Sequence, residues 1–251
     1  MSSAGLMFIE RRESMPKYYP IMLDVRDRPA IVIGGDRLAA EKATNLLACG
    51  ARVTAISPAF GDELHALAEQ HVLMLQTKSY EPGDLAGAFV VVAVTSEPQL
   101  IEAIWREAQQ RGQLVNIVDV PAHCNFILPS ILRRGQLTIA VSTEGASPSL
   151  AKRIRQQLEG IFPSAYDMYM QLATVARTHM RRQGITYDQR DNFFSDYFTS
   201  DMLTLLSEGK VAEAIIVTAE LLQHHGVAIT AETITTDLRE AATSHDSYTT
   251  A

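Results

Sequence analysis

Several things are scarce in this chain. It has two cysteines, Cys49 and Cys124, which form no CxxC pair and imply no disulfide framework. Its seven histidines show no HxxxH or HxxEH spacing, so no ready-made zinc site is legible. No apolar run approaches the ~20 residues that a membrane helix needs. The first 17 residues lack the apolar stretch of a secretory signal, because Glu10, Arg11, Arg12 and Glu13 interrupt them; they read as a flexible leader. Positive charge is short too. There are 22 Lys and Arg against 29 Asp and Glu, a net charge of -7, which weighs against general nucleic-acid binding. No internal repeat and no low-complexity block appears. These absences point to a cytoplasmic protein that engages neither membrane nor nucleic acid.

What is present is a 251-residue chain with 47% hydrophobic content, enough for one substantial core and a smaller unit. Its most informative stretch is Ala30-Ile31-Val32-Ile33-Gly34-Gly35-Asp36-Arg37-Leu38-Ala39-Ala40. A short apolar strand runs into a glycine turn and then a helix. That is the layout of a dinucleotide site, in which the helix N-terminus offers N–H groups to a pyrophosphate. In a G-x-G-x-x-G/A count, Gly34 is the first position and Ala39 the last. Asp36 stands where the middle glycine normally lets the cofactor approach. A carboxylate there sets a like charge beside phosphate.

The flanking chain keeps a βαβ rhythm. Strands are expected at 30–33, 53–56, 72–76, 89–94 and 114–118, with helices over 63–70 and 98–111. The apolar run 89–94 suits a strand buried on both faces of a parallel sheet. The fold class is therefore α/β, a Rossmann-like doubly wound sheet over 18–119, with ligands at the carboxyl ends of its strands. After Asp119 the rhythm changes. Two strands are expected at 126–132 and 137–141, then a helix capped by Ser147 with Pro148 at its first position. Residues 120–163 read as a dimerisation and substrate region. Residues 164–240 read as a helical C-terminal domain with breaks near Gly184 and Gly209, and 241–251, rich in Ser and Thr, as a disordered tail.

At this point the residues resemble a known family. The order Tyr19-Pro20-Ile21-Met22, Gly34-Gly35, Ser57-Pro58, Val92-Ala93-Val94-Thr95, Val115-Asn116-Ile117-Val118-Asp119, Phe126-Ile127-Leu128-Pro129-Ser130-Ile131 and Ser142-Thr143-Glu144-Gly145-Ala146-Ser147-Pro148 is similar to precorrin-2 dehydrogenase. This is the dehydrogenase/ferrochelatase module of the siroheme synthases. The likeness spans roughly residues 18–163. It implies NAD-dependent oxidation of precorrin-2 to sirohydrochlorin by a homodimer. In some members the same site then inserts a metal, so that a ferrous or cobalt ion becomes a substrate.

The candidate residues follow. Asp119 ends the fifth strand, where an open α/β sheet places its chemistry, and matches the family's catalytic aspartate. A carboxylate there can take the proton that the tetrapyrrole loses. Its structural alternative is a turn aspartate before Pro121. Thr95 and Asn116, at the ends of the fourth and fifth strands, are placed to touch the cofactor ribose or nicotinamide, or else to satisfy loop backbone. By residue matching, Arg37, Leu38, Pro58 and Ala59 fall on the family's NAD-contacting positions, beside Gly34, Gly35 and Asp36. No acidic residue ends the second strand to grip a ribose. The implied tetrapyrrole carries eight carboxylates, so an acidic protein must gather positive charge locally. Eight basic residues against three acids lie between Arg133 and Arg182. Arg133, Arg134, Lys152 and Arg153 are the substrate candidates among them, with Thr143 as a further contact or a turn residue. Two other readings stay open: a binding module that keeps the fold without oxidising anything, and a chelatase without dehydrogenase activity.

Overall fold

The glycine turn follows a strand whose side chains are buried on both sides. In a computed structural model, which describes residues 17–247, β1 (Pro29–Ile33) sends Ala30 and Val32 to one face of a sheet and Ile31 and Ile33 to the other. β2 (Arg52–Ser57), β3 (Leu73–Thr77), β4 (Val90–Ala93) and β5 (Leu114–Ile117) join it in a five-stranded parallel sheet of order β3-β2-β1-β4-β5. Helices α1 (Arg37–Leu47) and α2 (Asp62–Glu69) cover the face of Val32, Val53 and Val92. Helix α3 (Pro98–Arg111) covers the face of Ile33, Val91 and Ile117. Burial on both faces is why these strands read as continuous apolar runs rather than alternating ones. The order reverses between β1 and β4, so the turns after those two strands diverge and leave a crevice at their carboxyl ends.

One free edge of the sheet, that of β5, is closed by the loop that follows it, through Asn125 and Cys124. Asn125 donates its backbone N–H to Val115 O (3.1 Å), accepts from Val115 N–H through Oδ1 (2.8 Å) and donates Nδ2–H to Gln113 O (2.7 Å). The loop around it is fixed by Cys124, whose Sγ lies 3.2 Å from both the N and O of Ile117. Burial pushes that thiol's pKa up.

The chain divides into two compact units, one running to Leu128 together with Glu144–Ala146, the other comprising Pro129–Thr143 and Ser147 onward. The second unit holds an antiparallel pair, β6 (Ser130–Arg134) and β7 (Leu137–Val141), and, among its described residues, six helices. The expected strand at 126–132 starts only at Ser130, because Pro129 lacks a backbone donor and restricts the residue before it. Helix α4 (Pro148–Ile161) begins as its capping residues predict, with the Ser147 hydroxyl accepting from Leu150 N–H. Helices α5 (Ala165–Arg182), α6 (Tyr187–Thr199), α7 (Met202–Ser207) and α8 (Val211–His224) enclose a core that includes Leu172, Met180, Phe193, Tyr197 and Leu222. Tyr197 donates its hydroxyl to Tyr169 O (2.7 Å) and Tyr169 returns the bond to Tyr197 O (3.3 Å), so each buried phenol finds a partner. Burial raises the Tyr169 pKa to about 12.

A final helix, α9 (Ala231–Ser247), runs past 241, where the sequence reading set a disordered tail, and buries Ile234 and Leu238. The leader over 1–16 and residues 248–251 lie outside the described residues.

Candidate functional site

The crevice at the end of β1 is a cleft of about 540 Å³. The turn after β1 supplies Gly34, Gly35 and Asp36; the end of β2 supplies Ser57 and Pro58; the end of β4 supplies Val94 and Thr95. Of the sequence candidates, the sheet brings Gly34, Gly35, Asp36, Pro58 and Thr95 to one place. Gly34 adopts φ +137°, a conformation that L side chains rarely take. A β-carbon there would also press on Val94 O at 3.0 Å. At Gly35 a β-carbon would collide with the Ala59 carbonyl and the Ser57 hydroxyl, and the Gly35 carbonyl accepts from Gly61 N–H (2.8 Å). Both glycines are therefore needed for the three strand-end turns to close on one another. Ala59 serves that closure through its carbonyl.

Asp36 has extended backbone and caps α1: its Oδ1 accepts from Ala39 N–H at 2.9 Å, while its carbonyl takes Ala40 N–H at 3.0 Å. The sequence showed a charge beside the phosphate position. It did not show that one oxygen of that carboxylate is already turned to the helix. With Ala39 and Ala40 satisfied, the unpaired donors of the first turn are the N–H groups of Arg37 and Leu38, the two positions carried over as cofactor contacts. The turn thus fits a pyrophosphate: a glycine bend without side-chain bulk, two open N–H donors and the positive end of a helix.

Thr95 lines the cleft and its hydroxyl accepts from Glu97 N–H (3.2 Å). Asn116 does not line it. Its carboxamide is buried and donates to Phe126 O at 3.0 Å, holding the loop after β5. That favours the loop-satisfying alternative over cofactor contact. Asp119 lies beyond β5 in a turn closed by the bond from Val120 N–H to Ile117 O (3.1 Å), exposed, at φ +61°. A left-handed non-glycine residue is uncommon and is held there by its surroundings. His123, which also lay close to Asp119 in sequence, packs on α3. Its Nε2 is 3.2 Å from Glu102 Oε2, its ring meets Trp105 edge-on, and its buried Nδ1 has no partner.

The substrate candidates belong to the second unit. Lys152 and Arg153 are exposed on α4, and Arg133 is exposed on β6. Arg134 is committed to backbone, donating Nε–H to Phe162 O (3.0 Å) and Nη1–H to Arg133 O (2.9 Å). The Thr143 hydroxyl accepts from Ser147 N–H (3.0 Å), which is the turn role. Sequence reasoning missed Ser79, Tyr80 and Pro82 as cleft residues, along with Glu97, Gln99, Leu100 and Ala103 of the α3 segment. Only the Pro82-Gly83 turn signal marked that stretch. Among the described residues, no three His, Cys, Asp or Glu side chains gather to hold a metal, and no helix is long and apolar enough to cross a membrane.

A glycine turn, an open helix N-terminus and a cleft at the strand-order reversal define a nucleotide-binding domain of the Rossmann class. A family model for NAD(P)-binding domains matches residues 21–130, and one for the central part of sirohaem biosynthesis proteins matches 134–161. In sequence the chain is similar to siroheme synthases, and in fold to a precorrin-2 dehydrogenase. It is 34% identical over 197 residues to the siroheme synthase of Mannheimia succiniciproducens, covering 78% of this chain and 41% of that one. It is 39% identical over 184 residues to that of Methylobacillus flagellatus, covering 71% and 38%. The chain thus spans about two-fifths of the length of those relatives. A solved structure of SirC, a precorrin-2 dehydrogenase, matches with TM-score 0.69 and 25% identity over 83% of this chain and 99% of that one.

Proposed function

We propose that this chain oxidises precorrin-2 to sirohydrochlorin with NAD, as a cytoplasmic homodimer in siroheme biosynthesis. The observation that carries this reading is the cleft at the β1/β4 reversal, with its glycine turn and two open N–H donors, in a fold that matches a precorrin-2 dehydrogenase over nearly all of that protein's length. Gly34 and Gly35 and the N–H groups of Arg37 and Leu38 would hold the pyrophosphate. Thr95 would border the rest of the cofactor. When bound, NAD supplies the hydride acceptor. The charged residues lining the cleft are Asp36 and Glu97, with no Lys or Arg among them.

Asp119 has a simple task in this reading. Removing two hydrogens from the tetrapyrrole takes a hydride to the nicotinamide and a proton to a base, and an exposed carboxylate at the sheet's carboxyl edge can receive that proton. Arg133, Lys152 and Arg153 would meet substrate carboxylates. The test is anaerobic conversion of precorrin-2 followed by absorbance, with NAD, with NADP and with neither. Sirohydrochlorin should form with NAD and not without it. Turnover with neither cofactor, or none with NAD, would falsify the assignment. A parallel sample of sirohydrochlorin with ferrous or cobalt ion and no NAD measures chelation separately.

A further inference from the structure

Glu107 is a buried carboxylate that the proposed chemistry leaves unused. It sits on the sheet side of α3 and is 7% exposed. Its two oxygens accept four hydrogen bonds. Tyr80 O–H donates to Oε2 at 2.6 Å and Gly83 N–H to the same oxygen at 2.8 Å; Leu85 N–H donates to Oε1 at 3.3 Å and Arg111 Nε–H at 2.8 Å. Three of these four donors come from one segment, the connection between β3 and β4, which has no helix of its own. Burial alone would raise the Glu107 pKa, but the bonds from Tyr80, Gly83 and Arg111 outweigh it and hold the carboxyl below its ordinary range. The group is therefore a charged acceptor, and hydrogen bonds to an ionised acceptor are about twice as strong as neutral ones.

The segment that Glu107 holds is a wall of the cofactor cleft, which Ser79, Tyr80 and Pro82 line. Pro82 also lines, with Gly83 and Glu107, an open hollow of about 690 Å³. Pro82 and Gly83 are exposed. Tyr80 and Leu85 on either side of them pack on the core that includes Val91 and Ile104, Asp84 accepts from Lys78 and from Glu81 N–H, and the bonds to Glu107 tie Tyr80 O–H and Gly83 N–H between these anchors. Tyr80 joins the two: it lines the cleft and its hydroxyl is tied to Glu107.

We infer that Tyr80 contacts the dinucleotide in the cleft and that Glu107 is the positioning residue that orients the Tyr80 side chain through its hydroxyl. The inference rests on the NAD reading above. A tyrosine held at its hydroxyl offers a fixed flat surface, so the cofactor meets a wall ordered in advance and loses less affinity to ordering it. Glu107 never reaches the cofactor; it acts through Tyr80.

A double-mutant cycle read by calorimetric NAD titration tests this, at a temperature well below the thermal midpoint of every variant. In Glu107→Gln the amide nitrogen cannot accept, so at least one donor of the segment loses its bond. NAD affinity should fall several-fold. Tyr80→Phe keeps the ring but cuts its tie, and should weaken binding by a similar amount. Tyr80→Ala should weaken it about tenfold, or ~1.4 kcal/mol. The decisive outcome is the double variant Tyr80→Ala/Glu107→Gln, which should bind no more weakly than Tyr80→Ala alone, because coupled residues are non-additive. A residue that merely stabilises the fold would lower the midpoint and leave affinity alone, or add its effect independently; either result overturns the inference. Should Glu107→Gln fail to fold, Tyr80→Phe against the parent still decides whether the tie matters for affinity. Parent protein that binds no NAD brings down the cofactor reading and this inference together. Parent that binds, with variants that bind equally, brings down this inference alone.

Discussion

Asp119 is held in a conformation that most residues avoid. Its φ of +61° costs an ordinary L residue roughly 1–2 kcal/mol, while Asp and Asn visit it more readily. This separates geometry from charge in a way that an alanine variant cannot. Asp119→Asn should keep the turn and the thermal midpoint and lose turnover on the order of 10²-fold or more, as expected for a missing general base. Asp119→Ala should lose the same activity and about 1 kcal/mol of stability besides. Calorimetric melting and precorrin-2 turnover, run on both variants, check this. Asp119→Asn with turnover within a few-fold of the parent would remove Asp119 from the proton-transfer role.

At the scale of elements, the start of α1 shows how one carboxylate serves two ends. Asp36 satisfies Ala39 N–H, yet it also lines the cleft where phosphate would sit. Two unit charges ~6 Å apart at an effective dielectric of ~20 repel by about 3 kcal/mol before screening. Asp36→Gly removes that repulsion and frees a third N–H donor. NAD should bind roughly tenfold tighter if about 1.4 kcal/mol of repulsion survives screening. The helix should lose only a few tenths of a kcal/mol, the usual difference between Asp and Gly as N-cap. Unchanged or weaker NAD binding, measured by titration calorimetry, would show that the carboxylate does not oppose the cofactor.

The same element shows how far sequence reading reaches. The glycine turn, the βα alternation and the helix after Ser147 were legible because each rests on local signals: apolar runs, glycines, and cap residues next to the helix they cap. The rotamer of Asp36 was not, since sequence carries no χ angle. The cleft wall at Tyr80 was hidden because Glu107, which holds it, lies 27 residues further on and carries no periodic mark. Asn116 and Asn125 stand nine residues apart with the same side chain. Only the fold shows that the first ties down a loop and the second closes a sheet edge. In α9 the Ser and Thr content masked a helix whose anchors are two residues, Ile234 and Leu238.

For the whole molecule, α4 leaves an apolar stripe in view. Leu150 and Ile161 are 48% and 63% exposed and, with half-buried Ile154 and Leu158, recur at helical spacing along one face. Ile131 on β6 is exposed as well. A stripe of this kind suits the homodimer proposed above. Light scattering at micromolar concentration should give twice the chain mass of 27.6 kDa, and Leu150→Asp/Ile161→Asp should give the chain mass with its helical circular dichroism retained. A parent that scatters as a monomer sinks the dimer.

The closure of β5 by Asn125 has a consequence of a different kind. An open strand is a template, and any passing chain of suitable sequence can extend it. Here the template is filled from within the same polypeptide, ten residues downstream of the strand residue that it pairs. The stop is therefore in place as soon as that short stretch of chain has folded. On this side, limiting the sheet to five strands needs no second molecule and is independent of protein concentration.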